Sequence, residues 1–197
     1  MHFCRDVLGK NLYYKVSGID LTPYLLTRLP EYLNNNGVQV GSLYLEDFLN
    51  FNSTQQFDVV CSFGFIEHFT NFELVFQKHI DLVKPGGILV VACPNFNGLQ
   101  KLFHAMLDYD NLKRHVLAAM DLQSWGKILK KNDMEIIYHG YYRTADFWAE
   151  IPKNQKTRLR LGRLLSWATK KIDRYVDFPN PWLSPYMISF SRKPLNS

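Results

Sequence analysis

Apolar positions along this chain fall into two rhythms: short runs suited to strands, and longer stretches whose apolar residues recur three and four apart. Tyr13–Ile19 reads as a strand ending in Gly18-Ile19-Asp20. Thr22 can cap the helix that follows, with Pro23 in the favoured first helical position. Leu25, Leu26, Leu29 and Leu33 share one face of that helix, Pro30 fits it awkwardly, and Asn34-Asn35-Asn36-Gly37 stops it. Val38–Leu45 is a second strand. Phe57–Phe63 is an apolar run of the kind expected for a buried parallel strand. Phe72, Val75, Phe76, His79, Ile80 and Val83 then recur at helical spacing up to Pro85-Gly86-Gly87, which reads as a turn. Ile88–Cys93 is another buried strand, closed by Pro94-Asn95. Helices follow around Leu99–Leu107 and Leu122–Lys131, the latter with Asp121 as its cap. Met134–Tyr142 reads as a strand, Lys156–Tyr175 as an amphipathic helix, and Tyr186–Ser191 as a last strand.

Strands alternating with helices imply an α/β fold with a mostly parallel twisted sheet flanked by helices. Ligands in such folds bind beyond the carboxyl ends of the strands. That rule singles out Asp20, Glu46-Asp47-Phe48, Phe63–His68 and Pro94–Asn97.

Composition narrows the class further. The 197 residues, 47% of them hydrophobic, suit one domain with a real core. A 15% aromatic content argues against disorder. No apolar run approaches the ~20 residues of a membrane span, and Met1–Lys10 lacks a secretory h-region, so a cytoplasmic location is expected. Cys4, Cys61 and Cys93 are odd in number and widely spaced, which does not suggest a disulfide framework. Cys61 and Cys93 are expected as buried thiols in strands. The net charge of +5 is local, because Ile151–Val176 holds eight basic residues and one acid, Asp173. A general nucleic-acid partner is therefore not expected. The helix Lys156–Tyr175 should bury Leu161, Leu164, Leu165, Ala168, Ile172 and Tyr175 and expose its basic face. A solvated face, or attraction to an anionic membrane surface or an acidic substrate, suits such a helix.

The candidate chemistry lies at the strand ends. Asp20 can accept hydrogen bonds from a ribose diol, or can serve as a helix-start acid. Asp47 can accept from an exocyclic amino group while its neighbour Phe48 packs on a purine, or can be a loop acid beside a core ring. Gly64 permits close backbone approach. Glu67 and His68 fall at the mouth of the sheet, where His68 can act as a base or simply begin the next helix. His68, His79, His104, His115 and His139 show no ligand spacing with acids or cysteines, so no metal site is expected. No Gly-x-Ser-x-Gly elbow supports a hydrolase.

The segments VSGIDLTP, FDVVCSFGFIEHF and HIDLVKPGGILVVACPN at this mutual spacing resemble the class I S-adenosylmethionine-dependent methyltransferases, especially the group acting on small molecules. The resemblance covers roughly residues 10–145 of an expected single domain spanning 1–197. Residues 146–197 match only as a loose helix-plus-strand ending. It implies a Rossmann-like sheet of order 3-2-1-4-5-7-6 with an antiparallel last strand, Tyr13–Ile19 being the second. It implies S-adenosylmethionine held at its ribose by Asp20 and at its adenine by Asp47 and the backbone near Phe48, with Leu21 a further cofactor-binding residue. Ser62, Phe63 and Gly64 would line the methionine side, and His68 is the candidate catalytic base. The family's first strand and Gly-x-Gly-x-Gly turn should precede Tyr13, but Met1–Lys10 reads as the tail of the next helix, so a truncated start is expected. The implied reaction is methyl transfer to an oxygen, nitrogen or carbon of a small-molecule or lipid-like acceptor. The alternatives are a non-catalytic or fragmentary protein of this fold with impaired cofactor binding and, further off, a nicotinamide oxidoreductase.

Overall fold

A computed structural model describes residues 14–195. The expected helix tail at Met1–Lys10, the start of the first strand at Tyr13, and Cys4 lie outside them. The chain divides into two compact units, one within residues 1–53 and one over 54–197.

The first unit is a β-α-β element. Strand β1 (Lys15–Ile19) pairs in parallel with β2 (Gln39–Tyr44), from Lys15↔Gln39 to Ile19↔Tyr44, across helix α1 (Tyr24–Asn35). Helix α1 buries Leu25 and Leu33 and leaves Leu26 exposed. It continues through Pro30, which can donate no backbone hydrogen bond. The expected Thr22 cap is not formed. Pro23 occupies the cap position, and the Thr22 amide donates instead to Asp20 Oδ1 at 2.7 Å, so Asp20 closes the turn.

The second unit carries β3 (Phe57–Phe63), α2 (Phe72–Asp81), β4 (Val83–Pro94), α3 (Gly98–Leu107), α4 (Tyr109–Lys113), α5 (Leu122–Lys131), β5 (Glu135–Tyr142), α6 (Lys156–Tyr175) and β6 (Tyr186–Arg192). Its sheet runs β3-β4-β6-β5, with β3 and β4 parallel and β6 antiparallel to both neighbours. Each unit by itself has the strand-helix alternation of a Rossmann-like α/β fold, and β6 is the antiparallel last strand. Asp121 caps α5 as expected, accepting from the amides of Gln123 and Ser124 at 3.1 and 3.0 Å. The core is built around Val75 and Phe76 of α2, Leu89 and Val91 of β4, and Trp125 and Leu129 of α5. The Phe76 and Trp125 rings lie 5.7 Å apart, and Trp125 Nε1 donates to the Ala119 carbonyl at 2.8 Å. Each large apolar side chain buried this way contributes about 1.5–3 kcal/mol.

Three further expectations require correction. Pro85-Gly86-Gly87 does not separate helix from strand. It lies inside β4, where the register jumps from Phe57↔Val83 to Val59↔Ile88 and the extra residues bulge out. Strand β3 is not buried on both faces. Ser62 is buried and Val60 half-buried, whereas the alternate residues Val59, Cys61 and Phe63 are exposed, so among the described residues only Cys93 is a buried thiol.

The third correction concerns α6. Its Leu-rich face is not buried: Leu161, Leu164, Ile172 and Tyr175 are all exposed. The docked face instead carries Gly162, Ser166, Thr169 and Asp173, spaced four, three and four residues apart. Gly162 admits Ile151, whose Cδ1 would stand only 2.6 Å from an added Cβ. Thr169 Oγ1 accepts the Phe147 amide at 2.9 Å. Asp173 accepts the Thr144 amide at 2.8 Å and pairs with Arg143 at 2.7 Å. Hydrogen bonds and close approach dock this helix, because its partner segment presents amides and a guanidinium rather than an apolar groove.

Candidate functional site

In the first unit the candidate residues gather at the carboxyl ends of β1 and β2. The Asp20 amide donates to the Tyr44 carbonyl at 3.2 Å, which holds the two strand ends together. Asp20 Oδ1 is engaged with Thr22, while Oδ2 takes no hydrogen bond among the described residues. Leu21, next in the chain, is 69% exposed. Asp47 Oδ1 accepts the Leu49 amide at 2.9 Å, and its carbonyl accepts the amides of Asn50 and Phe51. Phe48 is buried, so its ring belongs to the interior and only its backbone remains a candidate contact.

In the second unit the candidates leave the carboxyl end of β3. The Gly64 amide donates to the Ala92 carbonyl at 2.9 Å, and its φ of +65° is left-handed. That conformation suits glycine and turns the chain into the 3₁₀ turn Ile66–His68. Ser62 is buried and Phe63 exposed on either side of the strand. The Val116 amide donates to the Glu67 carbonyl at 2.7 Å and draws the segment after α4 against this turn. The His68 and His115 rings thereby come within 4.8 Å of each other.

The two histidines are held in the same way. His68 Nδ1 faces the Arg114 carbonyl at 3.2 Å, and His115 Nδ1 faces the Asn111 carbonyl at 2.7 Å. A carbonyl can only accept, so each Nδ1 carries the hydrogen and each Nε2 lone pair is left to accept a proton or bind a cation. Glu67 lies beneath them, 1% exposed, with Oε2 making no hydrogen bond among the described residues. Burial holds its carboxyl above the ordinary glutamate range, opposed by a backbone hydrogen bond and by His68. Burial also depresses the basicity of His115. Potential ligand atoms of Glu67, His68 and His115 lie within 4.8 Å of one another. No spacing in the sequence links all three residues, and only the fold sets them side by side. A His-His-Glu set can hold a cation or share a proton. Proton transfer requires no added group.

His115 is the residue that the sequence did not point to. It lies 47 positions beyond His68, and no local pattern links them. Pro94–Asn97 proves architectural. Asn95 is fully buried and donates to the carbonyls of Pro181 and Ser184, and Asn97 donates to that of Met120.

A family model described as a methyltransferase domain matches residues 6–141. The mitochondrial ubiquinone biosynthesis O-methyltransferase of Dictyostelium discoideum is 30% identical over 108 residues, which make up 55% of this chain and 33% of that protein. The chain therefore spans about a third of the length of this relative. Among solved structures, the N-methyltransferase NodS of Bradyrhizobium japonicum, in complex with S-adenosylhomocysteine, aligns with a TM-score of 0.54 at 12% identity, covering 91% of this chain and 67% of its own. A SAM-dependent methyltransferase of Archaeoglobus fulgidus aligns with a TM-score of 0.54 at 12% identity, covering 96% and 91%. The cyclase SpnF aligns at 0.56 and 12%, covering 96% and 69%. At these identities the shared feature is the fold, which serves more than one chemistry.

Proposed function

This chain belongs to the methyltransferase domain family, and from that premise we propose that it transfers the methyl group of S-adenosylmethionine to a hydroxyl oxygen of an apolar, lipid-like small molecule. Methyl transfer rests on the family match. The oxygen acceptor rests on one observation, the orientation of His68. Its Nδ1–H is tied to the Arg114 carbonyl, so Nε2 is left as a base. A hydroxyl acceptor must lose a proton as it is alkylated, and a positioned imidazole contributes typically 10²–10⁴-fold to such a step. The similarity to an O-methyltransferase agrees with this choice.

Each unit, taken by itself, has residues that suit part of the cofactor. Asp20 keeps one carboxylate oxygen for a ribose diol, with exposed Leu21 beside it, and the backbone at Phe48 with Asp47 is the candidate for the adenine. In the second unit Gly64 leaves space where a side chain would stand, the nearest atom to an added Cβ being Glu67 Oε1 at 3.5 Å. Ser62, Phe63 and Gly64 are the proposed contacts for the methionine side. Bound S-adenosylmethionine supplies a methyl already activated on a sulfonium. The chain's remaining work is in-line positioning, exclusion of water and removal of the proton by His68.

The test pairs binding with turnover. S-adenosylmethionine should raise the thermal stability of the purified chain and NAD should not. Incubation with a panel of phenols and matched amines should release S-adenosylhomocysteine only with the phenols. Stabilisation by NAD alone would favour the oxidoreductase reading. Turnover confined to amines would remove the hydroxyl acceptor.

A further inference from the structure

The outward face of α6 combines charge and apolar surface in a way that its docking does not use. Arg160, Leu164, Trp167, Lys171 and Tyr175 follow one another at helical spacing on the side opposite Gly162 and Thr169. Leu164, Trp167 and Tyr175 are 57%, 60% and 74% exposed, and the flanking Leu161 and Ile172 are exposed as well. A single protruding leucine is ordinary, but large apolar side chains along three turns of one helix mark an interaction surface. The helix holds seven basic residues, all exposed, and one acid. That acid, Asp173, is turned inward onto Arg143, so it neutralises none of the outward charge. Among the described residues none of the seven cations lies within 4 Å of a carboxylate. The Lys171 ammonium lies over the Trp167 ring, 5.2 Å from its centroid, so cation and aromatic ring are neighbours on this face.

We propose that this face of α6 docks on the surface of an anionic lipid bilayer, with Leu164 and Trp167 entering the headgroup boundary and Arg160 and Lys171 meeting the lipid phosphates. The occupant follows from complementarity on both counts. A nucleic acid would satisfy the cations but leave the leucine and tryptophan against phosphate and water. A protein groove would satisfy the apolar side chains but would need a dense acidic rim. An anionic membrane interface offers negative headgroups directly above an apolar layer, and helices of this composition lie in that plane. No helix among the described residues is long and apolar enough to cross a membrane, so the contact is peripheral. The proposal does not depend on the reaction assigned above, and its test reads no activity.

The experiment is co-sedimentation of the full chain with phosphatidylcholine vesicles and with vesicles that also contain phosphatidylserine, at low and at high salt. The chain should pellet with the anionic vesicles, remain in solution with the neutral ones, and be released by salt. Arg160→Gln with Lys171→Gln should weaken binding by about 25-fold, at about fivefold for each cation near an anionic surface. Leu164→Ser with Trp167→Ser should also weaken it, while keeping the wild-type dependence on salt. All four side chains are exposed, and circular dichroism checks that each variant is folded. Should a variant unfold, the comparison of lipids and salt with the wild-type chain still decides. Equal binding to both vesicle types, binding to neither, or capture by duplex DNA in preference to anionic vesicles would overturn the proposal.

Discussion

His68 Nδ1 lies 3.2 Å from the carbonyl oxygen of Arg114, 46 residues farther along the chain. This contact fixes the tautomer that makes His68 a candidate base. The Val116–Glu67 backbone hydrogen bond of 2.7 Å holds the two segments together, and the Arg114 side chain is anchored to Glu150 at 2.6 Å. His68→Asn should lower kcat for a hydroxyl acceptor by 10²–10⁴-fold while leaving S-adenosylmethionine affinity within a factor of about two. An unchanged kcat would remove His68 from proton transfer.

Asp20 divides its carboxylate between the Thr22 amide and an open side. Asp20→Ala should weaken S-adenosylmethionine binding by about 1.5–3 kcal/mol, roughly 10- to 150-fold, for the loss of a charge-assisted hydrogen-bond pair. Asp20→Asn keeps the turn to Thr22 and separates the two roles. Calorimetry that finds the alanine variant unaltered would confine Asp20 to its turn.

His104 should make the chain sensitive to mild acid. It is fully buried against Phe96, Phe147 and Trp148, with ring centroids 4.1–5.6 Å away, and neither ring nitrogen has a hydrogen-bond partner among the described residues. Burial lowers its pKa to about 4, opposed by Asp108 at 3.5 Å. An unfolded histidine titrates near 6.5. Between these values the unfolded chain binds a proton that the folded chain does not, so stability falls as pH drops from about 6.5 to about 4. The loss is about 3 kcal/mol at most, about 2 of it by pH 5. Urea midpoints at pH 7 and pH 5 should differ more for the wild-type chain than for His104→Leu. Equal differences would place the acid sensitivity elsewhere.

Asp173 joins α6 to the segment after β5 through Arg143 and the amides of Thr144 and Ala145. Asp173→Ala strips these donors of their acceptor and should destabilise the second unit by roughly 1–3 kcal/mol. Arg160→Gln, on the outer face of the same helix, should change stability by less than about 0.5 kcal/mol. Thermal unfolding of the two variants side by side checks both figures.

Gly98 begins α3 at a φ of +56°, where an added Cβ would stand 2.6 Å from Trp182 Cα. Backbone cannot yield as a flexible side chain can, so Gly98→Ala should cost on the order of 1–3 kcal/mol. A variant as stable as the wild-type chain would show that the loop around Trp182 moves freely.

Most of the architecture can be read from periodicity. Apolar runs and helical spacing place β3, α5 and α6 at their observed bounds or within a residue of them, because the hydrogen bonding of each element is local and its apolar rhythm is its own. The Glu67-His68 turn is legible for the same reason, since it follows directly from the strand before it. The exposure of Cys61 and Phe63 is not, because an apolar run looks the same whether one or both of its faces are covered.

Two features depend on which residues meet across the fold. His115 joins His68 only because Val116 bonds back to Glu67, a contact that no spacing encodes. The hydrophobic pattern of α6 identifies a helix and then suggests the wrong face for burial. Its orientation follows from Phe147, Thr144 and Arg143, whose amides and guanidinium need acceptors and find them in Thr169 and Asp173. A buried donor without an acceptor costs more than an exposed leucine, so the polar stripe turns inward and the leucines turn out.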